Sequence, residues 1–155
     1  MQDDEQRAIV RQGVQVGEAG GLVDESEVTL ALYAEALEPS SVSRLLGVEP
    51  TASHTRGERR KHTGTPYLRG AWFLTVKGVA PVGPDDLLAS LFQRLPDEPG
   101  FWDSVRAAYD GKLVVGLVQR RWNRGFELGA ATMALVARTG LPIEFDLYFD
   151  GEQEG

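Results

Sequence analysis

The chain has 155 residues, 42% of them hydrophobic and 25% charged, and its 23 acids outweigh 16 bases to give a formal net charge of -7. Such a length and balance fit one globular domain with a sizeable core. The absence of cysteine excludes a disulfide framework and a thiolate-built zinc site, leaving two histidines and the carboxylates as the available metal ligands.

The opening MQDDEQRAIV is acidic where a secretory signal would be basic and then apolar, and no stretch approaches the ~18 apolar residues of a membrane span. A cytoplasmic location without membrane contact is expected. Residues 1–27 hold Asp3, Asp4, Glu5, Glu18, Asp24, Glu25 and Glu27 against Arg7 and Arg11. With the glycine-rich run VGEAGG they predict a flexible acidic tail, in which Val14 and Val16 leave room for an edge strand. VTLALYA (28–34) places Val28, Leu30 and Leu32 on one face and predicts a strand. PSSVSRLLG (39–47) predicts a helix through Val42, Leu45 and Leu46, ending at Gly47. A long polar loop leads to AWFLTVK (71–77), a second strand. PDDLLASLFQRL (84–95) opens with proline and two acids and carries a leucine stripe, the pattern of an amphipathic helix. Pro96 and Pro99 break it, and GFWDSVRAAYDG (100–111) predicts a shorter helix packed through Trp102, Val105 and Tyr109. KLVVGLVQ (112–119) is a largely apolar third strand. GFELGAATMALVARTG (125–140) predicts a helix stopped by Gly140, and PIEFDLYF (142–149) a final strand with Glu144, Asp146 and Tyr148 outward. Asp150, Glu152 and Glu154 make residues 150–155 a second acidic tail, so the single domain spans 28–149.

Two β-α-β halves joined by a helical pair predict an α+β fold: a ferredoxin-like two-layer sandwich with a four-stranded antiparallel sheet in order 4-1-3-2 and helices on one face. A parallel α/β sheet is the alternative. Two helical segments between the second and third strands favour the former, because out-and-back helices return the chain antiparallel.

The stretch VTLALYAEALEPSSVSRLLGVEPTASHTRGE, the Ala-Trp pair opening the second strand, the leucine-rich helix and the terminal strand ending DLYF together resemble the bacterial domain of unknown function 4279 family over about residues 28–149. Leu46-Gly47-Val48-Glu49-Pro50-Thr51, followed by Gly57 and Trp72, carry most of the likeness. The resemblance implies the domain and the fold, and it transfers no catalytic residue, cofactor or partner.

Chemistry must then be sought in the residues. There is no P-loop, nucleophile elbow or His-Glu-x-x-His, and neither a catalytic residue nor a cofactor is assigned. Glu144 and Asp146 share one side of a strand, as an acid–base pair or simply as a solvated edge. HTRGERRKH (54–62) gathers Arg56, Arg59, Arg60 and Lys61 between the two histidines, and Arg69 follows; QRRWNRG (119–125) adds Arg120, Arg121, Arg124 and Trp122. With strands two and three as antiparallel neighbours, these loops would form one basic rim with Tyr67, Trp72 and Trp122 nearby. His54, His62 and Glu58 have metal-ligand chemistry, but four adjacent cations oppose a divalent ion. The leading expectation is a non-enzymatic protein-binding module, immunity-like or regulatory, with an unidentified protein partner. The alternatives are phosphate, nucleotide or single-stranded nucleic-acid binding at the rim, and an enzyme acting on a small anionic substrate.

Overall fold

The computed structural model describes residues 20–151. The tails expected at the two ends lie largely outside them, and so does the Val14–Val16 alternation. The apolar alternation of the first predicted strand becomes β1 (Glu25–Ala34), which opens earlier than its valine because Glu25 and Glu27 point away from the core and extend the same register. Strand β3 (Gly70–Val79) pairs antiparallel along one edge of β1 and β4 (Asp110–Gln119) along the other, with Leu30 opposite both Leu74 and Leu113. A three-residue strand, β2 (Ala52–His54), joins the outer edge of β3, and β5 (Ile143–Phe149) lies parallel to β4.

One face of this sheet carries the core. Val28, Leu30, Leu32, Trp72, Leu74, Leu113, Val115 and Leu117 are essentially inaccessible to solvent, and each such side chain stabilises the fold by about 1.5–3 kcal/mol. Helices supply the other half of that layer. Helix α1 (Pro39–Leu46) starts on a proline and ends at Gly47, whose left-handed φ of 69° a glycine adopts without strain. It contributes Val42 and Leu46, and Ser43 accepts the Trp72 indole N–H at 3.1 Å. The leucine stripe of α2 (Pro84–Gln93) enters the same cluster, and the side chain of Asp86 caps the helix start by accepting the Gly83 N–H at 3.1 Å. Helix α3 (Phe101–Ala108) adds Phe101, Trp102 and Val105. Helix α4 (Ala130–Thr139) packs through Val136 and is tied to α2 where Asp85 accepts the Gly129 N–H at 2.7 Å.

The fold is α+β, but it is neither the ferredoxin-like sandwich nor the parallel sheet expected from the sequence. Its described residues form one open, mixed sheet of five strands in order β2-β3-β1-β4-β5, with four helices. Of the predicted strands, the second and third are not neighbours: both flank the first and run in the same direction. The physical reason lies upstream of the helical pair. Residues 47–69, with β2 and a hairpin, already reverse the chain before β3, so β3 occupies one side of β1. The α2–α3 pair then carries the chain over to the other side, where β1 still has an unpaired edge.

Candidate functional site

The opposite face of the sheet has no helix over it among the described residues. At one end it is roofed by the basic loop. Residues 55–69 fold as a small hairpin held by backbone hydrogen bonds from Gly57 to Tyr67, Tyr67 to Glu58 and Arg60 to Thr65. His54, paired with Ala71 at the start of β3, stacks on Tyr67 at 3.4 Å between ring centroids and faces Phe73 at 6.1 Å. Tyr33 meets Phe73 edge-on at 5.7 Å. The cations are mostly committed inside this assembly. Arg60 lies 4.8 Å from the Tyr67 ring centre and Arg69 4.5 Å from that of Tyr33; Arg69 also pairs with Asp110 at 3.0 Å, Arg56 with Glu35, and Arg59 donates to the Gly64 carbonyl at 2.9 Å. Lys61 alone of the five has no partner among the described residues. Burial holds His54 below its ordinary value, with Arg60 adding to the effect, while Glu58 and a backbone hydrogen bond at Arg69 partly offset it.

The second basic loop leaves β4 at the other end of the sheet. Ala34 pairs with Gly70 at one end of β1, whereas Glu25 faces Val118 at the far end. A strand of that length separates the loops by about 30 Å, several times the ~8 Å over which exposed charges act at physiological salt. No shared rim exists, and the eight cations are two unrelated groups. Arg120 pairs with Glu25 at 2.9 Å, and its backbone N–H reaches Asp24 at 2.7 Å. Arg124 is half-buried beside Gly21. Arg121 is exposed with no partner among the described residues, and Trp122 is 83% exposed. Trp72, expected near the rim, is a core residue.

Between the hairpin and that far end, the uncovered face forms an open trough of about 710 Å³. Its floor is Thr29 of β1 with Val114, Gly116 and Val118 of β4, and its sides are Lys77 and Val79 of β3 and Asp146 and Tyr148 of β5. These residues meet there because each lies on the strand parity opposite the core. Gly116 deepens the floor: a β-carbon at that position would touch only Glu27, at 3.9 Å. Lys77 is paired with Glu27 at 3.2 Å. Of the predicted carboxylate pair, Glu144 binds Lys112 at 2.8 Å and raises that amine's pKa chiefly through the hydrogen bond, while Asp146, on the same side of β5, adds a smaller charge effect and lines the trough. No group of three or more potential metal ligands gathers among the described residues. The sequence carries one sign of the trough: KLVVGLVQ is apolar on both parities, although only one of them faces the described helices.

No helix of the described residues is long and apolar enough to cross a membrane. No curated protein and no solved structure matches the chain significantly. A family model does match, over residues 24–150, which is the described domain from the residue before β1 to the residue after β5. The chain belongs to the family described as domain of unknown function DUF4279.

Proposed function

We propose that the protein is a non-enzymatic binding module, immunity-like or regulatory in role, that receives a protein partner on the uncovered face of its sheet. The trough carries this reading. It is too open to enclose a small molecule in the way ligand pockets do, yet it offers apolar floor residues framed by polar ones, the anatomy of a recognition patch. Its chemically able side chains are largely tied up in ion pairs, which suits binding better than proton transfer. Gly116→Leu tests it, because the new side chain would start into the trough from a β-carbon that meets only Glu27, at 3.9 Å. Tagged wild-type protein should enrich a specific partner from native extract, the Gly116→Leu variant should lose it, and Arg59→Glu with Arg60→Glu in the hairpin should retain it. Enrichment that ignores Gly116→Leu sinks the reading.

One observation supports a second reading at the far end of the sheet. Trp122 is almost fully exposed next to Arg121, which has no partner among the described residues, a stacking surface next to a phosphate-seeking guanidinium. If a single-stranded oligonucleotide binds there, affinity falls steeply with salt and is lost in Trp122→Ala. The eight-cation rim plays no part in it.

A further inference from the structure

We propose that the partner presents to the trough a short extended segment in which a lysine or arginine is flanked by apolar residues, with its cation held by Asp146 and Tyr148. The inference rests on the reading that the trough is the partner site, and it names the partner's chemistry. The carboxylates lining the trough are not equivalent. Glu25 is answered by Arg120 and Glu27 by Lys77. The nearby Lys112 is taken by Glu144. Asp146, half-buried, makes no hydrogen bond or ion pair among the described residues; it feels the charge of Lys112, which Glu144 already binds, so Glu25, Glu27, Glu144 and Asp146 face the three bases Arg120, Lys77 and Lys112, leaving an excess of one negative charge around the trough.

Tyr148 follows two residues later on the same side of β5 and is 58% exposed. A carboxylate beside an accessible aromatic ring suits an ammonium or guanidinium group, which gains a charge-assisted hydrogen bond from one and a cation–π contact from the other. Val79, Val114 and Val118 offer apolar contact on either side of Gly116. The trough crosses β3, β1, β4 and β5, about 14 Å at ordinary strand spacing, which matches an extended segment of about five residues. An acidic segment would instead bury Asp146 against like charge, and a second copy of this chain would bring a net charge of -7 to the same surface.

Two blocked peptides serve as probes, Val-Lys-Leu-Lys-Val and Val-Glu-Leu-Glu-Val, titrated into isotopically labelled full chain and followed by two-dimensional amide NMR, which detects weak binding. The lysine peptide is expected to shift the amides of Thr29, Gly116, Asp146 and Tyr148, and the glutamate peptide to leave them in place. Asp146→Asn should weaken the lysine peptide about tenfold, Asp146→Lys should reverse the preference, and Gly116→Leu should abolish binding. Amide dispersion confirms that each variant is folded. Equal or tighter binding of the glutamate peptide, insensitivity to Asp146→Asn, or no shift from either peptide overturns the inference. If any of these occurs while partner capture still depends on Gly116, the charge assignment fails and the binding face stands; if Gly116→Leu disturbs neither, both fail. Self-association of the wild type that Gly116→Leu abolishes would make the occupant a second copy and overturn the assignment too.

Discussion

The two faces of β4 differ more than their residue types do. Leu113, Val115 and Leu117 point to the helices and are buried almost completely, while Val114, Gly116 and Val118, alternating with them, remain half-exposed. On the first face helices supply the opposing layer, so each side chain is fixed by neighbours on every side. On the second, apolar atoms have a floor and, among the described residues, no ceiling. Apolar residues define a core only when another element of the same chain covers them. When none does, and the patch is framed by charges, the surface is available to something else.

The largest effect that separates the faces is cavity formation. Leu113→Ala should cost about 2–5 kcal/mol in urea unfolding, since its neighbours cannot collapse into the space, whereas Val114→Ala next to it should cost less than about 1 kcal/mol. Equal losses would break the distinction. Two glycines of the same strand sharpen it at intermediate scale. A β-carbon at Gly111, on the helix side, would lie 2.9 Å from Leu32 and 3.1 Å from Leu141. Gly111→Ala should therefore destabilise by about 1–3 kcal/mol through overpacking. Gly116→Ala, with only Glu27 in reach, should be neutral or stabilise by about 0.5–1 kcal/mol, because glycine in a strand interior loses more backbone freedom than alanine.

The smallest effect concerns pH at the roofed end of the open face. Burial lowers the His54 pKa from 6.5, so the unfolded chain takes up a proton before the folded one does. Stability from this group is full above about pH 6.5 and is lost progressively as pH falls from there through the lower folded value, the sign expected when the unfolded state binds more protons. His54→Phe keeps a ring against Tyr67 without the titration. The drop in melting temperature between about pH 7.5 and 5.5 should be smaller in the variant than in the wild type. An unchanged drop would mean that the hairpin leaves this end of the face wet.

The elements themselves were legible in the sequence. The leucine stripe of α2, the proline starts of α1 and α2 and the glycine stops of α1 and α4 are local signals, and they stand where the pattern put them. The sheet order was not legible, because it depends on which edges of β1 remain free after residues 47–69 have turned the chain, and β2 is too short to leave a periodic signature. That error carried directly into the site. Arg56 to Arg69 and Arg120 to Arg124 look like one charged cluster only if β3 and β4 are antiparallel neighbours. Ion pairs were invisible for the same reason: Arg120 meets Glu25, and Arg69 meets Asp110, across register that no local pattern encodes. The trough was half-legible, as apolar residues on both parities of β4, but recognising it required knowing that the four described helices go to one side.

The position of β1 also governs when the fold can form. It is the first strand of the sheet to be synthesised, yet its partners at Val76 and Val115 lie far downstream. Closing such long loops is entropically costly before any contact rewards it, and chains dominated by distant pairings fold slowly. Helices α1 and α2 form from neighbouring residues, but their apolar stripes face a sheet whose middle strand is incomplete until β4 has left the ribosome. Until then Val28, Leu30 and Leu32 stand on an edge with unpaired backbone groups, the arrangement most prone to pairing with another nascent chain. Truncation anywhere before residue 119 should therefore yield a species that aggregates, because the part it lacks is one side of the centre.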